Sequence, residues 1–405
     1  MRTFLRLSLA AVTVVTLLHP CTTAVVSGKA TADGRPLLLK NRDADELQNR
    51  LVSIQGLRFR FVGLVNSADS LNEQVWSGYN ETGFAIMNSA AYNLKRNDTT
   101  ALADREGYIM RHALEVCRTL ADFESLLTAL PKPLGVEANF GVIDANGGAA
   151  YFETDNFRFT RYDATDPAIA PNGYLIRTNY SCAGEENKGM GYIRFSTAEK
   201  MFRDEFRARR LSARFLVGEV PRSLFHAFTG TDLSRNLPKD EKDTTFAFFR
   251  DFIPRYYTSA ATVVQGVKPG ETPALTTMWT ALGFPLTSVV VPVWLLPDGS
   301  LPAILTADVS GNAPLSTFAL ELKKRLFPVQ NDAKENYINV ALLMNRKKTG
   351  LRQKISPVEA KLTAEAERLL ASWRSGGISV AAQRTFYSGM DEGLIPRIRT
   401  AVARP

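Results

Sequence analysis

The sequence predicts an α+β protein in which two antiparallel sheets lie between layers of helices. Strand-forming and helix-forming segments come in separate blocks, and no repeat or low-complexity tract interrupts them. The 405 residues are 45% hydrophobic and 22% charged, a composition that excludes a disordered tail, a collagen-like fibre and a disulfide-stapled miniprotein. Three cysteines are also too few for a zinc cage or a disulfide framework.

The predicted elements follow a simple order. Strands dominate residues 21–95, two helices occupy 104–130, strands return over 138–178, and a helix follows over 193–216. After an irregular aromatic segment, 218–258, strands are predicted at Ala260–Val267, Ala274–Met278 and Ser288–Leu296, and helices at about 313–327, 332–347 and 357–374. Without a long linker, residues 21–405 are predicted to form a single domain with a C-terminal helical portion over about 313–374.

The net charge of +8 can indicate a nucleic-acid partner. However, the basic runs Arg207–Arg210, Lys323–Arg325 and Arg346–Lys348 lie on separate predicted helices with acidic residues nearby. No stacked-aromatic motif accompanies them. We therefore expect solvated helix faces and no nucleic-acid partner.

The first twenty residues have the pattern of a secretory leader. Arg2 and Arg6 bracket a short basic start, and Leu7–Leu18 is mostly apolar. A run of about 12 residues is too short for a membrane span, which needs ~20. We predict that residues 1–20 form a signal peptide, that the protein is periplasmic or secreted, and that it has no membrane span.

Three positions compete for the end of the leader. Cleavage before Cys21 leaves an N-terminal cysteine, although Pro20 suits an ordinary cleavage site poorly. Cleavage after Ala24 fits the small-residue rule better and discards Cys21. A lipoprotein would instead be acylated at Cys21. The residues that follow favour the first position, because Cys21–Ser27 is a β-branched strand that begins at the cysteine itself.

A cysteine at a chain terminus can act as a nucleophile without a histidine. Its own α-amino group, with an ordinary pKa near ~8, can accept the thiol proton. The chain has only three histidines; His19 belongs to the predicted leader, and His112 and His226 stand in no recognisable triad pattern. We therefore predict that Cys21 is the catalytic nucleophile.

Several motifs after Cys21 occur in an order typical of one enzyme group. They are Cys21-Thr22-Thr23, Lys40-Asn41-Arg42-Asp43, Asn80-Glu81-Thr82-Gly83 with the strand to Asn88, Asn139–Gly147, Thr178-Asn179, and Gly191–Phe195. The chain thereby resembles the N-terminal-nucleophile (Ntn) cysteine hydrolases of linear amides, which include choloylglycine hydrolases, penicillin V acylases and the isopenicillin-N acyltransferase and carcinine hydrolase group. Lys40 departs from the arginine that many relatives carry. The similarity runs from residue 21 to about 200, and more loosely to about 310.

The resemblance implies a four-layer αββα sandwich and an enzyme that cleaves the C–N bond of a small N-acyl amide. It implies that Asn179 supplies an oxyanion-hole amide and that an arginine at the position of Arg194 opens a helix beside the site. It also implies neither metal nor cofactor. Whether water or an amine resolves the acyl-enzyme, and whether the chain forms a homo-oligomer, stays open.

Each candidate residue also has a structural interpretation. Asp43 could end a strand in a turn, or hold the α-ammonium of Cys21. We expect only one of Lys40 and Arg42 to face the nucleophile, where a cation lowers a thiol pKa. Asn179 and Asn88 could cap loops or donate to the oxyanion of the tetrahedral intermediate.

The remaining candidates are weighed in the same way. Arg194 could lie on a solvated helix face or in the site. Cys117 is expected to pack in the core, and a Cys117–Cys182 disulfide stays open. Two rival functions are a binding module lipidated at Cys21, and a papain-like protease that uses Cys117 or Cys182 with His112 or His226.

Overall fold

A computed structural model describes residues 21–95, 97–329 and 333–403. The predicted signal peptide, residues 1–20, lies outside the described residues. In this part of the chain, no helix combines the length and the apolar composition that a membrane span requires.

The strands and helices confirm the block order predicted from the sequence. In chain order the strands are β1 (Thr22–Val26), β2 (Leu37–Asp43), β3 (Asn49–Gln55), β4 (Arg60–Asn66), β5 (Ser77–Asn80), β6 (Ala85–Ala90), β7 (Ala138–Ile143), β8 (Ala149–Thr154), β9 (Phe159–Asp163), β10 (Tyr174–Arg177), β11 (Phe225–His226), β12 (Thr231–Asp232), β13 (Phe246–Phe248), β14 (Thr258–Gln265), β15 (Thr277–Leu282), β16 (Val291–Val293) and β17 (Tyr337–Asn339). The helices are α1 (Glu106–Val116), α2 (Leu120–Ala129), α3 (Tyr192–Arg207), α4 (Ala213–Gly218), α5 (Pro314–Leu326), α6 (Val340–Leu343), α7 (Leu351–Gly376) and α8 (Val380–Ala403).

Two large antiparallel sheets form the centre of the fold. Sheet A has the strand order β10-β1-β2-β14-β15-β16, and sheet B runs β3 to β9 in sequence order. Helices α1 and α2 pack on the outer face of sheet B, and α3, α4, α5, α7 and α8 belong to the apolar core on the other side of the molecule. The layers are therefore helix, sheet B, sheet A and helix, which confirms the αββα sandwich.

The two sheets approach closely where β1 crosses β7. A side chain at Gly141 would meet Met87 Cε at 2.3 Å and Val25 Cγ2 at 2.9 Å, so this position needs glycine. Nearby, the Tyr151 hydroxyl of sheet B donates to Thr23 Oγ1 of sheet A at 2.8 Å. Contacts of this kind fix β1, and hence Cys21, relative to both sheets.

Three predicted helices differ from the structure. The helix predicted over 193–216 is two helices, because Arg209 takes a left-handed conformation (φ 56°) between α3 and α4. The helix predicted over 332–347 is wrong: Lys334–Asn336 is a 3-10 turn, Tyr337–Asn339 pairs with β13 as a strand, and the α-helix is limited to Val340–Leu343 within the described residues. The helix predicted over 357–374 is longer, since α7 begins at Leu351.

Helix α8 was not predicted, and it closes one edge of sheet A. Its Tyr387 hydroxyl accepts a hydrogen bond from Trp294 N (2.7 Å) and donates one to Trp294 O (2.9 Å), directly after the edge strand β16. The Trp294 ring packs edge-on against Trp373 of α7, with centroids 4.7 Å apart. The C-terminal helices are thus part of the domain core.

Candidate active site

The candidate nucleophile lies at the start of a strand inside sheet A. Cys21 immediately precedes β1, which pairs with β10 on one side and β2 on the other. Its side chain is 6% exposed, and the thiol donates to the backbone carbonyl of Asp43 with an Sγ···O distance of 3.9 Å. The end of β2 and the start of β1 therefore meet at the thiol.

Arg194 joins the start of β1 to Asn179. Its Nη1 donates to the carbonyl oxygen of Cys21 and to Thr22 Oγ1 (2.9 Å), and its Nη2 donates to Asn179 Oδ1 (2.9 Å). The side chain is 1% exposed, so the interpretation as a solvated helix face is wrong. Burial lowers the pKa of Arg194 to about 9, with Arg255 acting in the same direction, while Asp43 and Cys21 oppose the shift.

The backbone before α3 is shaped to admit the Arg194 guanidinium. Gly191 takes a left-handed conformation (φ 84°) at the helix N-cap. A β-carbon there would lie 2.2 Å from Arg194 Nη2 and 2.8 Å from Thr178 Cβ. Glycine is needed for both conformation and space.

Asn179 is held by backbone on both sides. Its side-chain nitrogen donates to Ala90 O at the end of β6 (2.8 Å), and its main chain bridges to Met190. Because an amide nitrogen carries two N–H groups, one remains after the bond to Ala90. The side chain is fully buried, and Arg194 links it to the carbonyl oxygen of Cys21.

Lys40 and Arg42 both face the space between the sheets. The expectation that only one would do so is wrong, because residues two apart on a strand lie on the same face. Lys40 Nζ lies 5.7 Å and Arg42 Cζ 5.0 Å from the centroid of the Trp76 ring. Both side chains are at most 4% exposed, so neither is a surface charge at a strand end.

The two cations differ in their partners. Lys40 Nζ donates to Asn88 Oδ1 at 2.6 Å, which brings the predicted residue Asn88 into the site. Arg42 donates to Asn49, Asn66 and Ser259. Burial lowers the pKa of Lys40 to about 8 and that of Arg42 to about 10, and the negative charge of a Cys21 thiolate is the largest opposing influence on each. Both cations are therefore close enough to interact electrostatically with a negative charge on Cys21.

Asp43 has an ion-pair partner that the sequence did not predict. Its Oδ2 accepts from Arg255 Nε (3.0 Å) and Nη2 (2.5 Å), and its Oδ1 accepts from Thr258 Oγ1 (2.6 Å) and Asn41 Nδ2 (3.4 Å). The Asp43 side chain is fully buried and that of Arg255 is 14% exposed. The carboxylate is thus held rigidly beneath the strand end that carries Cys21.

The structure brings all the predicted site residues together, and sequence reasoning missed Arg255, Thr258 and Trp76. Arg255 and Thr258 come from β14 and the loop before it, and β14 is the neighbour of β2 in sheet A. The register Thr258–Asp43 would have revealed both residues, but it joins segments more than 200 positions apart. Trp76 stands in no motif; the only signal was a single tryptophan between two predicted strands.

The other cysteines and the histidines do not form a second site. Cys117 is buried beside α1, and burial raises the pKa of its thiol to about 12. Cys182 is exposed at the surface, and partial loss of solvation by neighbouring groups raises the pKa of its thiol. Among the described residues all cysteines are unpaired and no hydrogen bond joins a histidine to a cysteine, so this part of the chain contains no Cys–His pair of the papain type. Nor do these residues include a group of His, Cys, Asp and Glu able to hold a metal ion.

A cavity of about 860 Å³ lies away from Cys21, between α4 and α7 on the outer side of sheet A. At its base Glu359 Oε1 pairs with Arg222 (2.7 Å) and Arg352 (3.1 Å). Burial alone would raise the pKa of Glu359, but the two arginines lower it to about 2. Backbone carbonyls, Ser356 and Glu359 take up the arginine donors, so this cluster ties helices to the sheet.

No protein-family model matches the chain, and no curated protein matches its sequence. Among solved structures, it is similar to an N-acylethanolamine-hydrolyzing acid amidase ortholog from Caenorhabditis elegans, at 18% identity and a TM-score of 0.41 over 60% of this chain and 92% of that one. A variant of the conjugated bile acid hydrolase from Clostridium perfringens is 10% identical, with a TM-score of 0.37 over 68% of this chain and 92% of that one. Penicillin V acylase from Agrobacterium tumefaciens is 12% identical, with a TM-score of 0.35 over 68% and 86%.

These solved proteins belong to the group that the sequence motifs resemble. Their identities and TM-scores are low, so the fold assignment rests on the two antiparallel sheets, their strand order and their helical layers.

Proposed function

We propose that the chain is an exported Ntn-type amide hydrolase or acyltransferase whose nucleophile is Cys21. Removal of residues 1–20 frees the α-amino group of Cys21, which accepts the thiol proton. The observation that carries the proposal is a buried hydrogen-bonded cluster around Cys21: Asp43 accepts from its thiol through the backbone carbonyl, and Arg194 links its carbonyl oxygen to Asn179. Sequence motifs far apart in the chain predicted this cluster.

The reaction begins when the Cys21 thiolate attacks the carbonyl carbon of an N-acyl amide. Lys40 and Arg42 are close enough to interact electrostatically with the negative charge of this nucleophile. The remaining N–H of Asn179 and an N–H of Asn88 are the donors proposed for the oxyanion of the tetrahedral intermediate. When the C–N bond breaks, the α-ammonium of Cys21 protonates the leaving amine, and an acyl thioester remains on Sγ.

Water then attacks the thioester carbon, the C–S bond breaks, and a carboxylic acid leaves as the thiol forms again. An amine that attacks in place of water would complete an acyl transfer. Asp43, fixed by Arg255 and Thr258, is proposed to orient the α-ammonium electrostatically between these steps. Arg194 fixes the position of the Cys21 carbonyl relative to Asn179 by donating to both.

The rival function is a binding module that is lipidated at the Cys21 sulfur. Intact mass of the mature protein separates the two: a free Cys21 terminus supports the hydrolase, and a lipid adduct supports the module.

The test of the mechanism is a Cys21→Ala variant assayed against a panel of bile-salt conjugates, acylated amino acids, small peptides and β-lactam side-chain amides. We expect complete loss of hydrolysis in Cys21→Ala and unchanged hydrolysis in Cys182→Ala, which removes an exposed thiol outside the site. Hydrolysis that survives in Cys21→Ala would refute the mechanism.

A further inference from the structure

A buried lysine borders a cavity that the proposed reaction does not use. Lys323 lies on α5 and is 3% exposed. The cavity has a volume of about 380 Å³ and is enclosed by the loop after β2, the segment before β14, and α5. This volume is at the lower end of the range for small-molecule sites, ~300–1,000 Å³.

The Lys323 amine has no counter-charge. Its Nζ donates to the carbonyl oxygen of Tyr256 and lies 4.1 Å from the centroid of the Tyr256 ring and 5.6 Å from that of Phe284. In the part of the chain that the structure describes, no carboxylate lies within ion-pairing distance of it. Burial lowers its pKa to about 7, and the more distant Asp43 opposes the shift. An ammonium has three N–H donors, so Lys323 can still bind an anion.

The cavity wall contains a second polar group. The Gln48 side chain bonds to Thr317 Oγ1 at 3.3 Å through one end of its amide, and the other end is buried without a partner among the described residues. Because a threonine hydroxyl both donates and accepts, Gln48 can turn either its oxygen or its NH₂ group towards a ligand. Lys323 and Gln48 therefore give the cavity lining one cationic donor and one neutral polar group that a ligand can reach.

Most of the remaining wall is apolar. It is formed by Leu47, Leu320, Phe327 and the Tyr256 ring, and the exposed residues Glu321 and Lys324 of α5 also line the cavity. A single buried cation beside apolar walls matches a ligand with one negative charge and a hydrocarbon tail. A polyanion would leave charge unpaired against these walls.

We propose that this cavity binds a monocarboxylate with a short hydrocarbon tail, whose carboxylate pairs with Lys323. The cavity lining does not include Cys21, so the proposed binding and the proposed hydrolysis can be tested independently. It is connected to the candidate active site through Tyr256, which follows Arg255, the ion-pair partner of Asp43. A carboxylic acid is also the class of compound that amide hydrolysis releases.

The first test is a calorimetric titration of the full mature chain, carrying Cys21→Ala, with octanoate. We expect binding that weakens at least tenfold in Lys323→Met and stays unchanged in Arg325→Met, which removes an exposed charge of the same helix outside the cavity lining. Octan-1-ol, which has the tail without the carboxylate, should bind more weakly. Equal octanoate affinity in Lys323→Met and its parent, or no octanoate binding to the parent, overturns the proposal.

A second pair of variants keeps Lys323 and so tests the site if Lys323→Met does not fold. Thr317→Asp places a carboxylate on the cavity wall, where it should pair with Lys323 and weaken octanoate binding at least tenfold. Thr317→Asn has nearly the same size without the charge and should retain binding within threefold. If both variants bind octanoate equally well, Lys323 is not the carboxylate partner.

Discussion

Removal of the Arg255 guanidinium should isolate a buried carboxylate beneath Cys21. In Arg255→Met, the two hydrogen bonds from Arg255 to Asp43 Oδ2 are lost, and only Thr258 and Asn41 still donate to the carboxylate. The Asp43 side chain has no solvent exposure, so water does not replace the missing partner. The perturbation therefore leaves an uncompensated charge in the core.

The size of the effect follows from the burial. Breaking a buried ion pair by removing one partner typically costs ~3–5 kcal/mol. At roughly 2.1 cal/mol/K per residue, the unfolding entropy of a chain of this length is about 0.8 kcal/mol/K. The melting temperature of Arg255→Met should accordingly fall by about 4–6 °C. A double variant with Asp43→Asn removes the charge and should recover most of this loss.

Differential scanning calorimetry at neutral pH checks the prediction. Arg235→Met is the matched control, because Arg235 pairs with Asp232 on the surface and its side chain is 81% exposed. Its melting temperature should change by less than about 1 °C, since exposed pairs are worth ~0–1 kcal/mol. A deficit that is equally large in the double variant would contradict this account.

Three further changes test other parts of the structure. Asn179→Ala should lower kcat about 10²–10³-fold with little change in KM, because the lost N–H acts on the transition state. Steady-state kinetics measures both constants, and an effect confined to KM would contradict the role as an oxyanion donor. Gly191→Ala should lower the melting temperature and the hydrolytic activity, because its methyl group would collide with Arg194. Gly230→Ala is the control: its φ is also positive but the space around it is open, so its melting temperature should fall only by the effect of backbone strain. Lys323→Met should raise the melting temperature below pH 7. The pKa of Lys323 is about 7 in the folded protein and 10.5 ordinarily, so burial of its ammonium group destabilises the wild-type fold at low pH. Calorimetry should show that the gain in melting temperature disappears between pH 7 and pH 10.5.

The sequence was informative where the relevant pattern is local. A strand that starts at Cys21, the cluster that ends β2, and the helix that opens with Gly191 each depend on a few neighbouring residues, and the structure contains all of them. The assembly of these segments around one thiol was predicted from motif order. The catalytic roles of the residues stay predictions until the variants are measured.

Pairings between distant segments could not be predicted in the same way. Arg255 and Asp43 are 212 positions apart, and their contact depends on β14 lying next to β2. The strand Tyr337–Asn339 is likewise defined by its partner β13, not by its own three residues. Helix α8 contains Gly389, Gly393 and Pro396, which lower helix propensity, and packing against α7 and sheet A overrides that preference.

The hydrogen bonds of Tyr387 have a consequence for the behaviour of the whole molecule. A strand at the edge of a sheet offers unpaired N–H and C=O groups on which a strand of another molecule can assemble. At Trp294, next to the edge strand β16, both of these groups are already bonded to the Tyr387 hydroxyl. A single phenol thus takes the place of a neighbouring strand. Through it, α8 protects this end of the sheet from intermolecular strand pairing and hence from aggregation.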